Sequence, residues 1–190
     1  TILGSGGDDV IGLSAFASGN VASINGGTGL NTILGNGSIN VLNFGSTTLA
    51  NIALIDGGAG ADTITGSAGN DTISGGAGND VLNGNGGTDT VTYAYETAAV
   101  TVSLATGTAS GTSAGSDTLS GFENVTGSGY GDTLTGSSSA NAITGGAGDD
   151  SLNGGGGADT FLYSGSDTGF DSVVGGGGTD TILGTGSDDV

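Results

Sequence analysis

Aspartate is the residue of this chain whose type and spacing point most directly to chemistry. A nine-residue motif begins at thirteen glycines, carries an acid or amide five residues later, and places an aliphatic residue or Phe two positions after that. Ten of the thirteen sixth positions are aspartates: Asp9, Asp62, Asp71, Asp80, Asp89, Asp132, Asp150, Asp159, Asp180 and Asp189. One carboxylate and one apolar residue per short repeat are typical of a solenoid whose turns bind metal ions.

The charge balance favours an external cation. The chain has 19 acidic residues, no Lys, Arg or His, and a formal net charge of −19. Carboxylates repeated at such short intervals repel one another in a compact chain, and no side chain of this protein can neutralise them. An apolar content of 34% argues against an acidic disordered chain, because disorder combines high charge with low hydrophobicity.

Calcium is the cation that this pattern predicts. Ca²⁺ takes 6–8 oxygen ligands, which carboxylates and the carbonyls of glycine-rich turns can supply. Zinc is disfavoured because the chain has neither His nor Cys. A turn supplies one carboxylate, so we expect the second to come from the next coil, two repeats later. The acidic pairs at that spacing are Asp62 with Asp80, Asp71 with Asp89, and Asp132 with Asp150, and Asn141 with Asp159 is a weaker pair.

The elements that position these acids are short strands. Each repeat divides into a glycine-rich turn of six residues and a strand of three, such as residues 63–65. Two repeats then form one coil of about 18 residues, and successive coils pair their strands at about 4.8 Å. The apolar eighth positions alternate with Thr and Ser and fill the interior. The predicted fold class is therefore all-β, a parallel β-roll or β-helix solenoid with calcium between its turns.

The repeats are grouped, and we expect residues 1–190 to form one continuous solenoid. The repeat blocks are 4–12, 26–43, 57–92, 127–162 and 175–190, and the connecting strands and loops are 13–25, 44–56, 93–126 and 163–174. Of the connecting stretches, 13–25 and 106–116 are the least regular, and we expect surface loops or irregular coil there. The apolar stretch 49–55 is expected to cap or widen a coil.

Several polar residues depart from the acidic consensus. Asn31 and Asn40 occupy both sixth positions of block 26–43, where stacked amide hydrogen bonds are expected instead of a metal ion. Asp149 and Asp188 precede the consensus acid and are expected to face solvent. Three further acids lie at the block edges, where an incomplete turn could use them as calcium ligands: Asp56, Asp167 and Asp171.

One segment carries a family resemblance. Residues 75–83 read GGAGNDVLN and match GGxGxDxUx, the nonapeptide of the RTX (repeats-in-toxin) family, at every defined position, U being a large apolar residue. The resemblance implies a parallel β-roll with Ca²⁺ between turns on one side of the roll. It also implies a secreted protein of the cell exterior, such as a bacterial surface-layer or surface-filament protein.

The residue inventory argues against catalysis. No His, Lys or Cys is present to activate the many hydroxyl groups, so hydrolase triads and dyads are excluded. Glu96 and Glu123 are the candidates for glycoside hydrolysis, but exposed positions or auxiliary calcium ligation suit them better. The absence of positive charge excludes nucleic-acid binding. No apolar run approaches the roughly 18–20 residues of a membrane span, so no membrane insertion is expected.

Two functional hypotheses remain. Residues 1–10 match residues 181–190 at eight of ten positions, which favours a repeat unit of a longer array. The first hypothesis is a calcium-stabilised extracellular structural protein, a repeat unit of a bacterial surface layer or head-to-tail filament. Its partners would be copies of itself, with cell-surface polysaccharide as a second candidate. The alternative is a calcium-dependent folding and secretion module of a larger type I-secreted adhesin, toxin or hydrolase.

Overall fold

All regular structure in the described part of the chain consists of short β-strands. The computed structural model describes residues 1–16, 21–163 and 169–184. In chain order the strands are β1 (Ile2–Leu3), β2 (Val10–Gly12), β3 (Ala15–Phe16), β4 (Ser23–Asn25), β5 (Thr32–Leu34), β6 (Val41–Asn43), β7 (Thr48–Ala50), β8 (Leu54–Asp56), β9 (Thr63–Thr65), β10 (Thr72–Ser74), β11 (Val81–Asn83), β12 (Thr90–Thr92), β13 (Val100–Ser103), β14 (Thr108–Gly111), β15 (Gly115–Ser120), β16 (Asn124–Thr126), β17 (Thr133–Thr135), β18 (Ala142–Thr144), β19 (Ser151–Asn153), β20 (Thr160–Tyr163), β21 (Ser172–Val174) and β22 (Thr181–Gly184).

The chain divides into two compact units. The first comprises Thr1–Val91 with Asp117–Phe122, and the second comprises Thr92–Ser116 with Glu123–Val190. Each unit is a parallel β-solenoid, which confirms the predicted fold class. The continuity of one solenoid over residues 1–190 stays a prediction. No helix in the described ranges is long and apolar enough to cross a membrane.

The first unit contains the coils of 18 residues that the sequence predicts. Ile73 of β10 pairs with Ile55 and Val91, each eighteen residues away, in the sheet β2-β5-β8-β10-β12. On the opposite face Leu82 of β11 pairs with Ile64 of β9 at the same interval. All these pairs are parallel and in register, so each eighth-position residue lies above the previous one.

Nearer the amino terminus the coils of this unit are longer and gain a third side. Ile33 pairs with Ile11 and Ile55, each twenty-two residues away. The added residues form the parallel sheet β1-β4-β7. Residues 13–25, where we expected loops or irregular coil, therefore contain β3 and β4. The expected widening at 49–55 takes the form of β7 and β8.

The second unit repeats the two-sided coil and adds a hairpin. Its sheets are β16-β18-β20-β22, which is parallel, and β14-β13-β17-β19-β21, in which only β13 and β14 are antiparallel. Ile143 pairs with Val125 and Phe161 at intervals of eighteen residues. The stretch 106–116, also expected to be irregular, contains β14 and the start of β15.

The core is the column of eighth-position side chains between the facing sheets. Ile64, Ile73 and Leu82 in the first unit are completely buried, as are Leu134 and Ile143 in the second. Burying an aliphatic side chain contributes about 1.5–3 kcal/mol, so this column is the main apolar stabilisation of coils that are only two short strands wide. Phe16 and Phe44 add a stacked pair with ring centroids 4.9 Å apart in the wider coils.

Candidate metal centre

The sixth-position acids lie at the ends of the turns, just before the strands, and most are buried. The seven with exposed fractions of 0–8% are Asp62, Asp71, Asp80, Asp89, Asp132, Asp150 and Asp159. Asp9 and Asp180 are partly exposed. Asp189 lies outside the described residues, as do Asp167 and Asp188. Carboxylates in such surroundings are strongly desolvated, so each needs hydrogen bonds or a cation.

A ladder of hydrogen bonds connects these acids from coil to coil. The backbone N–H of Asp62 donates to Oδ1 of Asp80 at 2.7 Å. The same bond joins the other expected partners: Asp71 to Asp89 at 2.8 Å, Asp132 to Asp150 at 2.7 Å, and Asn141 to Asp159 at 2.8 Å. The structure thus brings together all four residue pairs named from the sequence. Their assignment as metal ligands stays a prediction.

Two ladder members come from segments without the full glycine motif. The Asp80 N–H donates to Oδ1 of Asp117 at 2.9 Å, and the Asp150 N–H donates to Oδ1 of Asp171 at 2.9 Å. The sequence suggested Asp171 only as an edge residue and did not single out Asp117. Both precede an inward apolar residue by two positions, Leu119 and Val173, and this acid–x–apolar spacing was the available signal.

The asparagine repeats continue the ladder without charge. Asn31 accepts the Asp9 N–H at Oδ1 and donates from Nδ2 to the Asn51 carbonyl, both at 2.9 Å. The Asn40 N–H donates to Oδ1 of Asp62 at 2.6 Å. These bonds join the two asparagines to residues of neighbouring coils, and the stacking of amide on amide expected for this block stays a prediction. Asp149 is exposed, as expected, but its Oδ1 also accepts the Phe170 N–H at 2.9 Å.

Oxygen atoms without hydrogen-bond partners mark where a cation fits. Asp62 and Asp159 are each 1% exposed, and Oδ2 of each is buried without a hydrogen-bond partner. Oδ2 of Asp171 is in the same state. A buried carboxylate oxygen left unpaired is strongly unfavourable, and native structures avoid it unless an ion or water is bound. A hard cation satisfies such an atom directly.

The first glycine of each turn leaves space for these oxygens to converge. A Cβ placed on Gly57 would lie 2.6 Å from Oδ2 of Asp62 and 2.6 Å from the carbonyl oxygen of Gly75 in the next coil. A Cβ on Gly154 would lie 2.3 Å from Oδ2 of Asp159 and 2.5 Å from the Gly175 carbonyl oxygen. A carboxylate and a carbonyl of adjacent coils therefore face the same small space, a donor set suited to Ca²⁺.

Backbone carbonyls must supply most of the ligands of such an ion. In the described ranges no three acidic side chains converge closely enough to hold a metal together. Calcium accepts backbone carbonyls readily, whereas zinc sites are built from His, Cys and carboxylate side chains. Asp62 and Asp159 would hold the ion with turn carbonyls. A bound Ca²⁺ would supply the positive charge that the chain lacks.

Asp71 and Asp132 have a different environment. The Ser67 N–H and hydroxyl donate to Oδ2 of Asp71 at 2.6 and 2.9 Å. Ser128 donates its N–H to Oδ2 of Asp132 and its hydroxyl to Oδ1 at 2.8 Å, and the Val100 N–H also donates to Oδ1 at 2.8 Å. Burial raises the pKa of both carboxyl groups above the ordinary value, and these hydrogen bonds oppose the rise.

Comparison with known proteins identifies the repeats. The model of the RTX calcium-binding nonapeptide repeat, in four copies, matches residues 56–91, 126–161 and 166–190. These ranges cover just over half of the chain and include the sixth-position acids from Asp62 onward. No curated protein matches the chain.

Proposed function

Because the chain belongs to the RTX calcium-binding nonapeptide repeat family, we propose that it is a structural unit of the cell exterior, assembled head to tail into a surface layer or filament. Calcium is its cofactor, and repeats of this family are typical of type I-secreted extracellular proteins. They are also typically structural, and we propose no catalytic role for this chain. The assembly is the part of the proposal that needs an experiment.

The observation that carries the proposal is an exposed apolar residue in the last described coil of the second unit. β22 pairs with β20 on one side, and no strand in the described part of the chain pairs with its other side. Ile182 is 62% exposed, although its register partner Phe161 is 1% exposed. An exposed apolar residue beside a strand edge that no described strand pairs with is suited to receiving another coil.

The surroundings of Ile182 match the chemistry of a further coil. An open cavity of about 320 Å³ beside it is lined by Tyr163, Asp171 and Val173, among others. Asp180 already accepts the Asp159 N–H at 3.0 Å, as Asp159 accepts the Asn141 N–H at 2.8 Å. A coil added in the same register would offer its own acid to the Asp180 N–H and an apolar residue to Ile182. We therefore propose a second copy of this chain as the occupant.

Electron microscopy of the protein in calcium tests the assembly. We expect filaments or lattices at high protein concentration, and Ile182→Asp should abolish them because a carboxylate would enter the apolar contact. Leu30→Asp is the matched control, since Leu30 is 72% exposed and lies in a turn of the first unit. Strictly monomeric particles of the parent protein at high concentration would contradict the proposal.

A calcium-dependent folding and secretion module of a larger adhesin, toxin or hydrolase is the second candidate. The buried carboxylate oxygens of Asp62 and Asp159 favour it, because such a chain would stay unfolded in low calcium and fold outside the cell. The two candidates differ in the same micrographs. Folded monomers in calcium would support the module, whereas ordered assemblies would support the structural unit.

A further inference from the structure

The turns whose second residue is Ser or Gly fall into two classes. In one class this residue is Ser, as in Ser67 and Ser128, and its N–H and hydroxyl both donate to the acid four residues later. The acid then has donors from its own turn. In Asp132 both carboxylate oxygens are hydrogen-bonded, with Val100 completing the set.

In the other class the second residue is Gly in a left-handed conformation. Gly58 has φ 90° and Gly155 has φ 91°, values that residues with side chains rarely adopt. The acids of these turns are Asp62 and Asp159, and the Oδ2 atom of each is buried without a hydrogen-bond partner. The serines are not among the described non-glycine residues with positive φ. The two classes therefore differ in backbone conformation as well as in side chain.

We propose that the second residue of each turn determines whether its acid binds calcium: glycine leaves the carboxylate open to the ion, and serine closes it. The assignment makes Asp62 and Asp159 calcium ligands. It makes Asp71 and Asp132 serine-capped acids that hold their turns without metal. Asp9 joins the capped group, because the Ser5 N–H donates to its Oδ2 at 2.7 Å and the hydroxyl donates to its Oδ1 at 3.0 Å.

The physical reason is the direction of the serine protons. An N–H and an O–H that point at a carboxylate place their positive ends where a cation would bind, and they already provide charge-assisted hydrogen bonds. An ion entering there would have to displace both donors. In the turns of Asp62 and Asp159 no donor from the described residues faces Oδ2, so a bound ion removes an unfavourable state without breaking a hydrogen bond.

A serine turn with an uncharged residue supports this division. Asn141 occupies the acid position of the turn that contains Ser137, whose N–H and hydroxyl donate to Asn141 Oδ1 at 2.6 and 3.2 Å. The Asn141 amide donates in turn to the Glu123 carbonyl at 2.6 Å. Ser137 thus donates both of its hydrogen bonds to an uncharged side chain. A serine turn therefore does not need the negative carboxylate charge that would attract a calcium ion.

Counting the calcium ions bound per full-length chain by equilibrium dialysis tests the proposal. It rests on calcium binding by the repeats and not on the assembly role, so the two can fail independently. Asp159→Asn should lower the number of bound ions, because a ligand charge is lost. Asp132→Asn is the matched substitution in a serine turn of the same unit, and it should leave the number unchanged. Equal losses in the two variants would overturn the proposal.

A second pair of variants tests whether a new calcium site can be created. This test is informative even if the Asp132→Asn variant does not fold. Ser128→Gly removes the hydroxyl and frees the turn to adopt positive φ, so we expect more bound calcium than in the parent. Ser128→Ala removes the hydroxyl but keeps a side chain that disfavours positive φ, and its ion count should stay at the parent value. Circular dichroism in saturating calcium verifies the fold of each variant. A Ser128→Gly protein that binds no more calcium than the Ser128→Ala protein would overturn the proposal.

Discussion

At the residue scale, the buried aspartates are the reason why we expect this chain to depend on a cation. The four pairs were predictable because a fixed repeat places every second acid in the same position of adjacent coils. Their burial was less predictable, since the sequence gives spacing but not the direction of a side chain. The role of Ser128 was hidden for a similar reason: Ser and Gly are both ordinary turn residues, and only the backbone φ separates the two classes.

The raised pKa values of Asp71 and Asp132 predict how pH acts on the calcium-free chain. A carboxyl group with a raised folded-state pKa binds protons more tightly when folded, so its stabilisation is complete below the unfolded value of about 3.9 and is lost as pH rises through the folded value. We expect calcium-free protein, which is disordered at about pH 7, to regain β-structure as the pH falls to about 4. The double variant Asp71→Asn/Asp132→Asn should show a weaker dependence.

Circular dichroism in metal-free buffer between about pH 7 and about pH 4 measures this effect. The parent and the double variant are compared at each pH, so that acids common to both contribute equally. Calcium-free parent protein that gains no β-structure on acidification would contradict the desolvation of these two carboxyl groups.

At the element scale, turns and strands have different sequence signals. The strands β9 to β12 were predictable because an apolar residue recurs at every ninth position, and each strand centre is that residue. The sheet β1-β4-β7 was missed because its strands belong to segments of irregular length that repeat no motif. The hairpin of β13 and β14 was missed because β14 lies in the stretch 106–116, where we expected irregular structure. Pairing with distant strands, which local periodicity does not encode, determines these elements.

The first glycine of a turn should be far less replaceable than the third. Gly57→Ala would bring a methyl group within 2.6 Å of both Asp62 Oδ2 and the Gly75 carbonyl oxygen, so we expect weaker calcium binding and lower stability. Gly86→Ala is the control, because a Cβ there meets no atom within 4 Å and should change the free energy of unfolding by no more than about 0.5 kcal/mol. Calcium titrations and urea denaturation measure both effects. Equal behaviour of the two variants would contradict the crowding of oxygens at the first glycine.

At the scale of the whole molecule, charge and fold depend on each other. A chain with a net charge of −19 and no basic side chain gains apolar burial by coiling, but coiling also brings its acids together. The wide coils near the amino terminus carry Asn31 and Asn40 in their ladders, and the regular coils carry acids at every sixth position except that of Asn141. The demand for calcium is therefore concentrated in the blocks 57–92 and 127–162, where the nonapeptide is most regular.

Removal of calcium is the measurement that tests the central claim most directly. Far-ultraviolet circular dichroism of the full chain is recorded in calcium, after excess chelator, and after calcium is restored. The account predicts a β-rich spectrum that becomes disordered on chelation and returns with the ion, because unneutralised buried carboxylates oppose the compact state. A β-rich spectrum that persists unchanged in excess chelator would contradict it.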